Sequence, residues 1–252
     1  MTLLLLLVAC RPPVAPTSIE EMMVYGFTNF QEDPEYLVAL AGNLVPFMDS
    51  HAEELGEGYE VNSLTGDDLT AAGISNDGVS DVVGAAVGLY YEADLTELAY
   101  GITYPEQDEI FDSYLEFERL SESPRDCFLD HSCDSHDCEN SVHANLGAGI
   151  EMWNQFSQES RWIESEDGQR FLVVRVLGPD PIQFSVDWLE VPQQYSFSFV
   201  YEQDGKARRV QSIWVEGHIV DADMPESFAL NLGINNMVNA AADMNVWLAE
   251  QP

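Results

Sequence analysis

Apolar residues at helical spacing mark both ends of the chain. Residues 19–56 are predicted to be helical, with Asp33 as an N-cap and Pro34 at the first helical position. Pro46 is expected to kink or end this helix. A long C-terminal helix is expected to begin at Pro225 and to carry an apolar stripe over about five turns. The stripe consists of Leu230, Ile234, Met237, Ala241, Met244 and Leu248.

Between these helices the pattern becomes that of strands. Residues 57–81 are rich in Gly, Asp and Asn, so we predict an irregular connection there. Residues 82–91 are typical of a strand, and two short helices follow, the first capped by Asp94. About six further strands are predicted. Two hairpins are expected to turn at Asp167-Gly168 and at Asp204-Gly205, because Asp-Gly between apolar runs favours the positive φ that such turns need.

Alternation along two of the predicted strands assigns side chains to faces. Residues 113–120 alternate so that Tyr114 and Phe117 are expected on opposite faces. A later strand places four aromatic side chains on one face. These are Tyr195, Phe197, Phe199 and Tyr201.

The order of these elements predicts an α+β fold, in which a curved antiparallel sheet of about six to seven strands is covered by the long C-terminal helix. The segments VVGAAVGLYYEADLTEL, IFDSYLEFERL and WVEGHIVDADMPESFAL resemble the strand-to-helix, helix-to-strand and strand-to-helix junctions of the START-like superfamily. This superfamily is also called SRPBCC, or helix-grip. The resemblance covers about residues 82–250, and the predicted domain is 82–252. Two features depart from it: a Cys/His-rich insertion at about 121–143 and a helical extension with its loop at 19–81.

The resemblance implies that a cavity between sheet and helix holds a hydrophobic small molecule or lipid. Aromatic and small side chains on the two elements are the candidates for its wall. They are Phe184, Trp188, Phe197, Phe199 and Trp214 from the strands, and Met237, Ala241 and Met244 from the helix. The alternative is an ordinary packed core, in which case the fold serves as a surface scaffold or interaction protein.

Motifs for catalysis are missing from the sequence. The START-like superfamily includes cyclases and hydrolases, but the chain has no Gly-x-Ser-x-Gly, no phosphate-binding glycine loop and no His-Glu-x-x-His. We therefore expect binding rather than catalysis, and no cofactor.

The net charge limits which partners the protein can bind. The chain has 45 Asp and Glu against 9 Lys and Arg, for a net charge of -36. Nucleic acid is not an expected partner of so negative a surface.

The N-terminus predicts export. The apolar run at 3–8 is shorter than the about 20 residues that span a bilayer. Leu7-Val8-Ala9-Cys10 resembles the lipobox of bacterial lipoproteins. The resemblance implies a signal peptide at 1–9, an acyl anchor on Cys10, a tether at 10–18 and a place in the cell envelope. Arg11 stands where an Asp would retain the protein in the inner membrane, which favours the outer membrane. The alternative is an apolar segment buried in the fold.

The insertion concentrates cysteine and histidine. In an exported protein, its three cysteines favour a disulfide, and we expect the pair Cys127–Cys133 with Cys138 left over. The alternative is a zinc-type metal site, because thiolates and imidazoles can complete a tetrahedral set. Its candidate ligands are Cys133, His136, Cys138 and His143.

Overall fold

The computed structural model describes residues 12–74, 82–147, 149–219 and 226–251. The helices are α1 (Ile19–Thr28), α2 (Pro34–Ser50), α3 (Ala52–Glu57), α4 (Gly66–Ala71), α5 (Leu95–Ile102), α6 (Arg125–Leu129) and α7 (Glu226–Glu250), with a 3₁₀ turn at Gln107–Glu109. The strands are β1 (Tyr59–Leu64), β2 (Val82–Tyr90), β3 (Tyr114–Glu122), β4 (Ser135–Asn145), β5 (Glu151–Glu164), β6 (Arg170–Gly178), β7 (Gln183–Phe184), β8 (Leu189–Gln203) and β9 (Lys206–Ile219).

All the strands belong to one antiparallel sheet. Its order is β1-β2-β9-β8-β6-β5-β4-β3, and the two-residue β7 pairs with β5 beside this path. The last strand, β9, therefore lies between β2 and β8, although β2 and β9 are far apart in the sequence. The predicted class, an α+β fold with a curved antiparallel sheet under a long C-terminal helix, is confirmed. The sheet has two strands more than the upper expectation, β1 and β7.

The expectation of an irregular connection at 57–81 is wrong over its first part. β1 pairs with the edge of β2, and its Val61 and Leu64 are buried. Thr65 then caps α4, since its hydroxyl accepts from the backbone N–H of Asp68 at 3.2 Å. β1 has only two buried apolar residues, so its sequence pattern alone does not predict a strand. Its pairing with β2 makes this segment a strand. Residues 75–81 lie outside the described part of the chain.

Helices cover both faces of the sheet. The α1–α2 face carries Val173, Phe197, Phe199 and Trp214, which pack in one core with α1 and α2. The α7 face carries Leu172, Val174 and Val200, which pack in a second core with α5, α6 and α7. The helical extension is thus the third layer of a helix–sheet–helix sandwich.

The start of the described chain is attached to α2. Asn43 donates from Nδ2 to the backbone oxygens of Ala15 and Pro16, at 3.0 and 2.8 Å, and Ala15 is buried. Asp33 caps α2 as expected, its carboxylate accepting from the N–H of Glu35 at 3.1 Å. The helix continues through Pro46 to its end at Ser50, so the expectation that proline could end it there is not met.

The two Asp-Gly hairpins differ in their turns. Asp204 and Gly205 both have positive φ, 55° and 75°, as a two-residue turn between β8 and β9 requires. In the loop between β5 and β6 only Gly168 has positive φ, 84°. The loop at 165–169 is longer than a two-residue turn, so Asp167 does not need a positive φ.

The last two turns of α7 are fixed to the end of β2 and to α5. Asn245 donates from Nδ2 to the backbone oxygen of Tyr90 at 2.9 Å and accepts from the N–H of Glu92 at 3.1 Å. The Trp247 ring stacks on Tyr100 at 6.0 Å between centroids and packs on Tyr104 at 4.7 Å. These contacts hold the helix over the sheet.

Candidate functional site

A cavity of about 240 Å³ lies between α7 and the α7 face of the sheet. Six strands contribute to it (β3, β4, β5, β6, β8 and β9), together with α5, the 3₁₀ turn and Ala240 and Met244 of α7. A straight helix and a curved sheet touch along only part of their length, and the space between them remains. Ligand pockets usually have volumes of about 300–1,000 Å³, and this cavity lies just below that range, so it fits a molecule at the small end of the class.

Much of the cavity wall is apolar. Aliphatic side chains come from the middle strands, aromatic side chains from the segment that precedes β3 and from β3 itself, and methionines from β5 and α7. Representative members are Phe111, Phe117, Val142, Met152, Val174 and Met244. Such a wall favours an apolar molecule over bulk water, by about 25 cal/mol per Å² of apolar surface covered.

A β-bulge brings two aromatic residues to the same wall. The pairing of β3 with β4 shifts register between Tyr114 and Glu116. Tyr114 and Phe117 therefore both line the cavity, and their rings stack at 6.0 Å between centroids. Strict alternation predicted opposite faces, and that prediction is wrong because the bulge inserts one residue. Burial raises the pKa of Tyr114 to about 12.

Two glutamines at the cavity have their amides satisfied by backbone oxygens. Gln107 donates from Nε2 to the oxygens of Gly101 and Tyr104 at 3.0 and 2.7 Å, and Gln158 donates to that of Ile102 at 3.2 Å. These bonds hold the turn after α5 against β5. The two amides are structural parts of the wall.

Three other polar residues of the wall have buried donor atoms without a hydrogen-bond partner among the described residues. They are Arg119 at Nε and Nη1, Asn154 at Nδ2 and Arg209 at Nε. The Arg119 side chain is only 8 % exposed, and its Nη2 donates to the Tyr104 oxygen at 2.8 Å. Native proteins satisfy most buried polar atoms, so these donors mark the place where the wall can receive a hydrogen-bond acceptor.

Beyond Arg119, the buried face of β4 continues as a polar strip. His136 is fully buried, with Nδ1 3.3 Å from the Ser123 hydroxyl and no partner for Nε2 in the described chain. Burial, and next the Arg119 charge, lower the pKa of His136. Burial raises the pKa of the Cys138 thiol, which is free. Both groups are therefore neutral near pH 7.

Of the three helix residues predicted for the cavity wall, Met244 lines the cavity. Met237 and Ala241 are buried in the core that α7 shares with β2 and α5, and they do not line it. Ala240, one position before Ala241, faces the cavity instead. The apolar stripe identified the correct side of the helix but not the residue beside the space.

The placement of Phe197, Phe199 and Trp214 on the cavity wall is wrong. All three are fully buried on the α1–α2 face, against residues such as Phe27. The aromatic face of β8 was correctly recognised as apolar, but it packs on the N-terminal helices. Those helices need a continuous apolar surface, whereas the opposite face of β8 presents Gln194 and Ser196 to the cavity.

The remaining two predicted wall residues lie outside the cavity lining. Phe184 belongs to β7, where it pairs with Met152 at the margin of β5. Trp188 precedes β8 and is 46 % exposed. The loop between β6 and β8 that carries them pairs with the start of β5 through β7 and with Val191 of β8 through Ile182.

The predicted disulfide between Cys127 and Cys133 is confirmed. It leaves Cys138 as a free, buried thiol. The bond removes Cys133 from the alternative metal site of Cys133, His136, Cys138 and His143. His143 instead has its Nε2 2.9 Å from Oε2 of Glu151, and its ring stacks on the ring of Trp153. Within the described ranges, no group of three or more His, Cys, Asp or Glu residues could hold a metal ion.

Sequence reasoning missed the polar residues of the wall, Arg119, Asn154 and Arg209. No signal in the sequence singles out the two arginines, because seven of the 9 Lys and Arg lie within strands of the described chain. Asn154 carries no signal either, since its burial depends on the pairing of β5 with Val142 of β4.

The proposed lipidation residue, Cys10, lies outside the described residues. No helix within the described residues has the length and apolar character needed to cross a bilayer. Attachment through Cys10 therefore stays a prediction from the sequence.

Comparison with known proteins gives structural likeness only. No family model and no curated protein matches the sequence. Similar solved structures include a STAR-related lipid transfer protein from Xanthomonas axonopodis (TM-score 0.48, 11% identity, covering 69% of this chain and 90% of that one). A START superfamily protein from Mycobacterium smegmatis has a TM-score of 0.44 at 8% identity, covering 66% and 97%. The lipid transfer domain of human StarD13 has a TM-score of 0.40 at 13% identity, covering 83% and 97%.

Proposed function

We propose that this protein binds a small hydrophobic or amphipathic molecule in the cavity under α7. The observation that carries the proposal is the space of about 240 Å³ between apolar residues of the sheet and α7. The space is partly open to solvent, and much of its wall is apolar. A bound molecule would replace water there and make apolar contacts with the wall.

The way α7 is held suits a binding role. Its C-terminal part is fixed by Asn245 and Trp247, while Ala240 and Met244 contribute small and adaptable surface over the space. Binding needs no catalytic group under this proposal.

We further propose that the protein is attached to the cell envelope through an acyl group on Cys10, as the lipobox-like segment predicts. Ala15 is held against α2. The five residue-to-residue steps from Cys10 to Ala15 span at most about 18 Å. An acyl anchor would therefore keep the folded chain close to the membrane, within reach of molecules that partition there.

Native mass spectrometry tests the binding proposal. Protein extracted from membranes in mild detergent should carry a noncovalent adduct of one molecule per chain that disappears under denaturing conditions. A chain of the same mass in both conditions, with delipidated protein unable to take up any apolar probe, would contradict the proposal.

The anchoring proposal has a separate test. Cys10→Ala should move the protein from the membrane fraction to the soluble fraction and abolish incorporation of labelled palmitate. Cys138→Ala, which removes a buried thiol instead, should change neither. Unchanged membrane association of Cys10→Ala would contradict an acyl anchor at this residue.

A further inference from the structure

The cavity wall contains hydrogen-bond donors that nothing in the described protein satisfies. Nε and Nη1 of Arg119, Nδ2 of Asn154 and Nε of Arg209 are all donors, and each belongs to a residue lining the same cavity. Asn154 is 5 % exposed, and the Arg119 side chain is 8 % exposed. A complementary molecule must therefore present acceptors to them.

The charge of the two arginines narrows the chemical class of the bound molecule. Arg119 and Arg209 are two of 9 Lys and Arg in a chain with 45 Asp and Glu. The nearest carboxylate to Arg119 belongs to Glu122, whose Oε2 lies 3.8 Å from Nη1, beyond hydrogen-bond distance. Two other arginines pair closely with carboxylates, Arg170 with Glu164 at 2.9 Å and Arg175 with Glu159 at 2.6 Å. A buried cation without a close counter-ion favours an anion supplied from outside.

We infer that the bound molecule is a small amphipathic carboxylate whose head group is held by Arg119 and Asn154, with Arg209 as a second cation on the wall. This inference rests on the proposed binding function and specifies its ligand class. The apolar tail then lies along Val142, Val174 and Met244. A carboxylate has two acceptor oxygens, which suits the planar donor edge of a guanidinium.

Matched amphiphiles test the head group on the unaltered protein. Decanoate and decanol share one tail length and differ in charge. Delipidated full-length protein in about 0.15 M salt, where exposed charges are screened beyond about 8 Å, is titrated with each by calorimetry. We expect decanoate to bind at least about tenfold more tightly than decanol.

Variants locate the head group. Arg119→Met should remove most of the preference for decanoate while leaving decanol binding within about twofold. Arg170→Met, which removes the same charge from an exposed pair, should leave both affinities unchanged. Asn154→Leu should also weaken decanoate binding, and its melting temperature should not fall, because the substitution removes an unpaired buried donor.

The outcomes separate the two proposals. If decanol binds as tightly as decanoate, or if Arg119→Met folds normally and keeps the preference, the carboxylate inference is wrong and the binding function stands. If the delipidated protein binds neither probe, both are wrong. The comparison on the unaltered chain decides the inference even where Arg119→Met fails to fold.

Discussion

The ring of Phe197 lies directly against the backbone of Gly26. A Cβ atom at Gly26 would collide with Cε1 and Cζ of this ring and would also touch Leu40. This contact sets the distance between α1 and the centre of β8. It also explains why the aromatic face of β8 is not available to the cavity on the other side of the sheet.

We expect Gly26→Ala to destabilise the protein by about 1–3 kcal/mol, because a methyl group overfills the contact between α1 and β8. Gly42→Ala is the matched control. Nothing lies within 4 Å of a Cβ at Gly42 in α2, so alanine should stabilise the helix by about 0.5–1 kcal/mol. Urea unfolding of both variants measures the difference. Effects of the same sign would contradict the described packing of α1 on β8.

Arg175 is a buried cation on the α1–α2 face. It is 2 % exposed and donates from Nε to Glu159 at 2.6 Å. It also donates from Nη1 to the backbone oxygens of Phe27 and Ala72, both at 3.3 Å. The guanidinium thus ties β6 to the end of α1 and to the residue after α4.

We expect Arg175→Met to cost about 3 kcal/mol, because it removes the cation paired with Oε2 of Glu159 and the donor to two buried backbone oxygens. Arg170→Met, in a pair that is about half exposed, should cost at most about 1 kcal/mol. Chemical denaturation compares them. Equal losses would show that the buried pair has no special role.

The disulfide closes a short loop. Cys127 and Cys133 are six positions apart, and the chain-entropy relation gives about 2 kcal/mol for a loop of this size. We expect dithiothreitol to lower the unfolding free energy by this amount in the unaltered protein. The Cys127→Ser/Cys133→Ser double variant should already show the loss and should not respond to the reductant. An equal response in both proteins would exclude the bond as its origin.

His136 should make stability depend on pH. Its pKa is lowered in the fold by burial, so the folded state binds its proton less readily than the unfolded state. Stability from this group is complete above pH 6.5, the ordinary histidine value, and declines as pH falls from there towards the folded pKa. The decline is at most about 1.4 kcal/mol per pH unit.

We therefore expect the unaltered protein to lose stability relative to His136→Gln between about pH 7.5 and pH 5.5. Using the difference between the two proteins removes the contribution of the many carboxylates, which both share. Urea unfolding at the two pH values is the measurement. A constant difference would mean that His136 titrates alike in both states.

The fold was predictable from the sequence because its main signals are local. The apolar stripe of α7, the Asp94 cap of α5 and the turn at Asp204-Gly205 each specify an element without reference to the rest of the chain. β1 was missed because its stability comes from pairing with β2. Its sequence alone does not distinguish it from the loop around it.

The cavity was harder to predict because it depends on which face each helix covers. Alternation along β8 separates Phe197 and Phe199 from Gln194 and Ser196, but it does not say which set meets α7. The bulge in β3 was also not predictable from local sequence, since the register shift next to Tyr114 arises from pairing with β4. Residues such as Asn154 become site residues only through the tertiary structure.

The most direct test of a binding cavity under α7 is to fill it. Ala240→Phe places a ring in the space, and Ala242→Phe places the same ring on the exposed side of the helix. Delipidated proteins are titrated with the neutral fluorescent probe N-phenyl-1-naphthylamine. We expect the unaltered protein and Ala242→Phe to bind one probe molecule with the same affinity, and Ala240→Phe to lose at least about tenfold. Equal binding by all three folded proteins would contradict the cavity as the binding site.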